Sequence, residues 1–413
     1  MDIYVVVFIR SMVARLERIP PEIWQEILSY ACSDGGATGR ALSRTSRYFH
    51  DQSIDCTFHS LEFRSTTTLI RFLVSLHAYP RECKLRHLLL EPSHHTDNVP
   101  RAFQSLAGMS THRPGMVADQ PAFCADIAQS LFYLAADYMR TLYMVHTPAI
   151  PFRPFAQTFP KLRELSVWNH PLIAPTGRLC PPAPSGGPPP QPLCPSLRRL
   201  HVILTDTDIT FRHILARLPA FASSSLTHLR LSGVTYTETA LPAKLAEMLG
   251  LPAPLPLRER LRLSSAAVCP PGDGAGAGAG SASVSASVPS PLRPGVGVGT
   301  GALVPRDATF PHLRFVVISA VQPRFDAEAG PEAAASWTAL LGLLRELERT
   351  CKRVEGMRMV VLERSWMRKP SWGARLREDW LGRMRGAQGC WVGSEMEESE
   401  IEGPLERPKD VEW

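Results

Sequence analysis

Seven basic side chains and three tryptophans interleave over residues 364–385: Arg364, Arg368, Lys369, Arg375, Arg377, Arg383 and Arg385 with Trp366, Trp372 and Trp380. Guanidiniums beside aromatic rings can hold phosphates and stack bases, which is the chemistry of single-stranded nucleic-acid binding. Glu363, Glu378 and Asp379 dilute that charge. The stretch therefore reads as a solvated basic face with its tryptophans turned inward. Asp206 and Asp208, in "TDTD", could act as paired carboxylates. They directly precede the helical pattern "ITFRHIL", where an aspartate caps free amides. His94-His95 stand without nearby cysteines, and none of the nine cysteines is spaced Cys-x-x-Cys, so no zinc set is expected. "GAGAGAG", 274–280, has the letters of a phosphate loop but no strand before it. No nucleophile elbow, P-loop or paired-histidine zinc helix occurs. The expectation is a non-enzymatic chain with no catalytic residue, cofactor or metal.

Composition bounds the rest. The 413 residues are 44% hydrophobic and 20% charged, enough for a sizeable core, and the net charge of +6 does not by itself imply nucleic acid. "IYVVVFI", 3–9, is too short to span a bilayer and follows Asp2 rather than a basic segment. With an odd number of cysteines, this gives an intracellular, reducing location, cytoplasmic or nuclear, with free thiols. Proline and glycine mark two interruptions: 171–195 holds ten prolines, and 269–301 is rich in Gly, Ala and Ser. Neither has the large apolar side chains that offset ordering entropy, and both are expected to be disordered. Residues 387–413, with the acidic run "SEMEESEIEG", read as a solvated tail.

Between the interruptions one pattern recurs, apolar-x-x-apolar-x-apolar. It starts at Leu85, Met139, Leu162, Leu197, Leu226, Leu313 and Met357, and six of these seven copies carry Arg at the second position. "FPKLRELSV", "CPSLRRLHV" and "FPHLRFVVI" also share a proline two residues before the first leucine. Each copy suits a short strand, and helical patterns separate them at 67–79, 124–139, 209–218, 238–249 and 333–352. Strand and helix in alternation predict an α/β fold with a parallel sheet and helices on one side. The side chains between the apolar positions, Arg163, Glu164 and Ser166 in one copy and Arg198, Arg199 and His201 in the next, are then an outward polar row suited to a protein surface. Arg163, Glu164, Arg198, Arg199 and His201 are the candidate substrate-binding residues.

That pattern resembles the strand signature of leucine-rich repeats, which implies a solenoid over 61–386. The spacing between copies is 54, 23, 35, 29, 87 and 44 residues, and the Asn or Cys of the regular repeat is missing, so the solenoid is expected to be irregular. A doubly wound sheet is the competitor, disfavoured by the absence of a glycine-rich phosphate loop.

Residues 15–60 form a separate helical unit. Pro20 and Pro21 stand where a helix tolerates proline, Glu22 adds charge favourable to its start, and Ile23/Ile27 and Trp24/Leu28 are each four apart. Asp34-Gly35-Gly36 ends the helix. A second helical pattern covers 38–55, with Leu42, Thr45, Phe49 and Ile54 inward and Arg40, Arg44 and Arg47 outward. Two such helices bury little and must pack on the following domain, as a solenoid cap, or on a partner.

"LERIPPEIWQEILSYA" followed by "ALSRTSRYFHD" resembles an F-box. The match lies on Leu16, Pro20, Pro21, Glu22, Ile23, Ile27, Leu28, Ser46, Arg47, Tyr48 and Phe49. With the repeats and the C-terminal "DWLGRMRGAQGCWV", the arrangement is similar to a large fungal F-box family. The resemblance implies a substrate receptor of a Skp–cullin–F-box ubiquitin ligase, docking the Skp adaptor through the F-box and binding a protein substrate through the repeats, with the Skp adaptor and cullin of the ligase as partners. The adaptor contact would fall on Leu16, Ile19, Pro20, Pro21, Ile23, Trp24, Ile27, Leu28, Leu42, Tyr48 and Phe49. The alternative is a repeat-like interaction scaffold with no ligase link.

Overall fold

The protein is described by a computed structural model at residues 19–34, 36–53, 56–78, 84–91, 129–145, 157–168, 192–205, 210–222, 225–255, 259, 308–322, 330–364, 372–387 and 391. Residues 171–191 and 269–301, Leu16, Ile54, Trp366 and the acidic run lie outside these residues. The end of the Pro-rich stretch is ordered, against the expectation for 171–195: Cys194 is buried and forms a β-bridge with Ala222.

Eight parallel strands form one sheet: β1 (Ser60–Phe63), β2 (His87–Leu90), β3 (Thr141–Val145), β4 (Glu164–Trp168), β5 (Arg199–Ile203), β6 (His228–Val234), β7 (Phe315–Val321) and β8 (Arg358–Arg364). Their order in space is their order in sequence. A doubly wound sheet reverses its order at a switch point; this sheet has no reversal. The register aligns the recurring pattern across strands, with Leu88, Leu142, Leu165, Leu200, Leu229 and Val316 on one line. These side chains are fully buried.

The second pattern position has a backbone role. The carbonyls of His59, Arg86, Arg140, Arg163, Arg198 and Thr227 each accept two N–H groups from the start of the next strand, at 2.7–3.1 Å. The ladder thus continues one residue beyond the strands and fixes each copy on its predecessor. The proline lead-ins share a turn: the N–H of Leu162, Leu197 and Leu313 donates to the carbonyl of Phe159, Cys194 and Phe310, three residues back. Proline at the second turn position holds the φ that turn needs.

Two copies differ from the sequence reading. "FHSLEF", Phe58–Phe63, is an additional copy: Leu61 pairs with Leu88 and Phe63 with Leu90. It was hidden at the end of the helical unit drawn as 15–60, and the repeat pattern begins inside that boundary. The last copy is displaced by one residue, because Phe315 pairs with Arg358 and Val316 with Met359. Met359 and Val361 are therefore the buried pair, rather than Val360 and Leu362. A one-residue slip exchanges the two faces of a strand, and burial selects the register.

Helices α4 (Thr66–Ala78), α5 (Phe211–Phe221), α6 (Leu241–Leu249) and α7 (Gly330–Cys351), with a helical stretch at 129–135, contribute to one core with the sheet's leucines. In α7, Trp337, Leu340, Leu344 and Leu347 are buried as their spacing predicts. The α5 cap is not "TDTD": the N-cap residue is Thr210, and the Phe211 amide donates to the carboxylate of Glu238, 2.8 Å away. Asp206 and Asp208 lie outside the described residues. Gly233 has φ +88° at the β6 bulge, and a Cβ there would overlap the Leu204 carbonyl oxygen, so only glycine fits.

Helix α8 (Trp372–Met384) corrects the expectation of helices on one side only. Trp372, Leu376 and Trp380 pack on Leu89, Tyr143, Val145 and Ile203, on the face opposite the main core. The odd positions of the strands, read as an outward row, are covered there.

Candidate functional site

Among the described residues three short helices precede the sheet: α1 (Pro21–Ala31), α2 (Ala37–Thr45) and α3 (Arg47–Ser53). The single pattern drawn over 38–55 is broken at Ser46, which is extended (φ −159°, ψ 159°) and accepts the Phe49 amide at its hydroxyl, 3.2 Å. The break turns Tyr48 and Phe49 toward α1. Thr45, expected inward, is exposed; Arg40, Arg44 and Arg47 point outward as expected. Asp34 opens α2, its carboxylate accepting the Thr38 amide at 3.0–3.1 Å and the Thr38 hydroxyl at 2.6 Å.

The core of this unit is small. Trp24, Leu28, Cys32 and Cys56 are buried, with Ile19, Leu42, Tyr48 and Phe49 packed against them. The Trp24 and Phe49 rings meet edge to face with centroids 5.2 Å apart, and Tyr48 stands 6.4 Å from Trp24. Burial pushes the Cys32 thiol up to about 11, which makes it a packing group rather than a nucleophile. The unit is attached to the sheet at one side. Ser29 is hydrogen-bonded to His59 (3.3 Å) and accepts from Arg86 (3.1 Å), and the Ser33 hydroxyl donates to the Met384 carbonyl of α8 (3.1 Å).

The other side of α1 faces out. Ile23 is 48% exposed, Ile27 45% and Tyr30 76%, and Pro20 and Pro21 at the helix start are also exposed. Residues 23, 27 and 30 follow i, i+4, i+7 and form one stripe. The predicted adaptor residues therefore divide. Trp24, Leu28, Ile19, Leu42, Tyr48 and Phe49 hold the unit together, while Pro20, Pro21, Ile23 and Ile27 present a surface. Tyr30 belongs to that surface and was missed, although its spacing from Ile23 signals it.

The predicted substrate row also divides. Arg163 and Arg198 are exposed at the sheet's edge. Glu164 is 2% and His201 1% exposed, and Arg199 is half-buried. These three cannot form an open surface, because α8 and Trp391 lie over them. Glu164 accepts from Tyr143 Oη (2.6 Å), Arg383 Nε (3.0 Å) and Trp391 Nε1 (3.2 Å), and Arg199 stands 3.6 Å away. Trp391 is buried against His201 and His228, so the tail expected over 387–413 contains an anchored residue. Midway along α8, Arg377 Nε donates to Glu62 at 2.6 Å. Burial would raise the Glu62 carboxyl, but hydrogen bonds from Arg377 and Arg64 outweigh it and hold the group below its ordinary value. The basic face of α8 is thus turned partly into ion pairs, and Trp372 and Trp380 are inward as expected.

Among the described residues no group of His, Cys, Asp and Glu is placed to hold a metal, and no helix is long and apolar enough to cross a membrane. Cys32, Cys194 and Cys351 are free and buried, and Cys56 is buried with its Sγ 3.8 Å from the Gln25 carbonyl. No protein-family model, no curated protein and no solved structure matches this chain.

Proposed function

We propose that the chain is a non-enzymatic substrate receptor of a cullin–RING ubiquitin ligase, with residues 15–60 as an F-box that docks a Skp adaptor and the sheet as a degenerate leucine-rich-repeat-like solenoid. The observation that carries the docking role is the split of α1. Trp24 and Leu28 already supply the internal contacts of the unit, yet Ile23, Ile27 and Tyr30 remain outside as a helix-spaced apolar stripe. A simple cap would turn its apolar positions inward; a helix-in-groove element leaves a set for its partner. The strand order and the shared carbonyl ladder support stacked neighbouring repeats. Arg163 and Arg198 are the part of the expected substrate row that stays accessible.

The test is capture of a purified Skp adaptor by the full chain. Pro20→Ala/Pro21→Ala removes exposed ring surface without loss of a backbone donor. Ile27→Glu places a charge at a half-exposed site, so the fold should tolerate it while a groove would not. Loss of adaptor binding by at least about 10-fold in either variant, with unchanged circular dichroism and Tm, is the expected result. Full retention by both sinks the adaptor role and leaves a scaffold that uses the stripe elsewhere.

A further inference from the structure

The second position of the recurring pattern places arginines in a row along one edge of the sheet. Arg140, Arg163, Arg198 and Arg314 are exposed, and Arg86 beside them is half-buried. Their backbones are consecutive steps of the carbonyl ladder, with Thr227 filling the place between Arg198 and Arg314. Neighbouring strands lie about 4.8 Å apart, so the row from Arg140 to Arg314 runs about 19 Å. Among the described residues none of these four exposed guanidiniums has a carboxylate partner. Arg140 is lowered by burial and then by Arg86 and Arg163 on either side, as like charges in one line require.

Trp391 fixes where the chain goes next. Its ring sits on His201 and His228, and its N–H donates to Glu164, which places it in front of β4, β5 and β6. Four residues later the sequence turns acidic: Glu395, Glu397, Glu398, Glu400 and Glu402. Four residues span about 13 Å and residues 395–402 about 23 Å when extended, enough to reach the row and run its length.

We propose that residues 394–402 of this same chain dock along the arginine edge, held by ion pairs to Arg140, Arg163, Arg198 and Arg314. The contact does not rest on adaptor docking at α1, and it occupies the same Arg163 and Arg198 that the substrate reading leaves accessible. Tethering by Trp391 gives the acidic segment an effective concentration in the millimolar range, so individually weak, exposed ion pairs suffice to fill the edge.

A labelled synthetic peptide of residues 394–402 is the probe, followed by fluorescence anisotropy at low ionic strength. A chain ending at Gly393 should bind it, and affinity should fall at least about 10-fold when salt is raised to several hundred millimolar. The full chain should bind it at least about 10-fold more weakly, because its own segment competes. Arg163→Glu/Arg198→Glu in the shortened chain should abolish binding. Glu397→Gln/Glu398→Gln/Glu400→Gln in the full chain, which touches no described contact, should restore peptide binding to that of the shortened chain. Equal binding by full and shortened chains overturns the proposal in favour of an acidic partner supplied in trans. No binding by the shortened chain, or no effect of the arginine reversals, overturns the edge as an acidic-peptide site.

Discussion

Asp379 is the residue whose environment is most at odds with its charge. It lies on α8 above the sheet, and burial pushes its carboxyl up to about 6, although Arg230 and Arg375 pull the other way. Glu378 and Glu164 add to the rise. A raised carboxyl binds a proton in the folded state that the unfolded chain has already released. Its contribution is therefore full below the unfolded value of about 4 and is lost as pH rises toward about 6. Half-buried His87, held down to about 3 by desolvation and by Arg140 and Arg86, acts in the opposite sense across the same range. Asp379→Asn separates the two. Relative to wild type, the variant should gain stability between pH 4.5 and 6.5, read as Tm in matched buffers; a constant difference across that range would rule out burial of this carboxyl.

At the scale of elements, α8 acts as a closing helix over a face that its own sheet leaves half polar. It covers Leu89, Tyr143, Val145 and Ile203 with Trp372, Leu376 and Trp380, and its arginines meet Glu62 at mid-helix and Glu164 near its C-terminus. Ion pairs fix the placement, while the tryptophans supply most of the attraction, since a buried pair returns little after desolvation. Trp380 is fully buried. Trp380→Ala should cost about 3–5 kcal/mol in urea denaturation and raise binding of a hydrophobic dye, because the cavity cannot collapse against a rigid sheet. A cost below about 1 kcal/mol would mean that α8 adds little to the folded state.

At the scale of the molecule, the sheet accepts long inserts because each strand contacts only its neighbours. β6 and β7 pair from His228/Phe315 to Val234/Ala320, around the bulge at Gly233, although residues 235–314 separate them in sequence. Part of that span, α6, packs on the core, and the Gly/Ala/Ser-rich 269–301 follows it. Loop-closure entropy grows only with the logarithm of length, about 0.6 kcal/mol per doubling. Replacing 269–301 by an eight-residue Gly/Ser linker should leave Tm within a degree or two; a larger fall would show that the segment packs.

Seven of the eight strands, and their parallel alternation with helices, are legible in the sequence; β1 and the register of β8 are not. Leu165, Leu200 and Leu229 repeat at fixed places in a short pattern, and a strand that must bury one face can be read locally. Their irregular spacing did not matter, since the register is set by neighbours in space rather than along the chain. The exposed stripe of α1 was half legible: Ile23 and Ile27 were visible, but which of two apolar faces turned inward depended on where Phe49 packs. What only the tertiary structure decided is the far side of the sheet. Glu164 and His201 look like surface residues in any local reading, because alternation says only that they face away from the core. Whether that side meets water or another element depends on α8 and Trp391, some 200 residues later, and on ion pairs that no spacing encodes. The same long-range closure leaves Arg163 and Arg198 at the rim as the accessible remnant of the row.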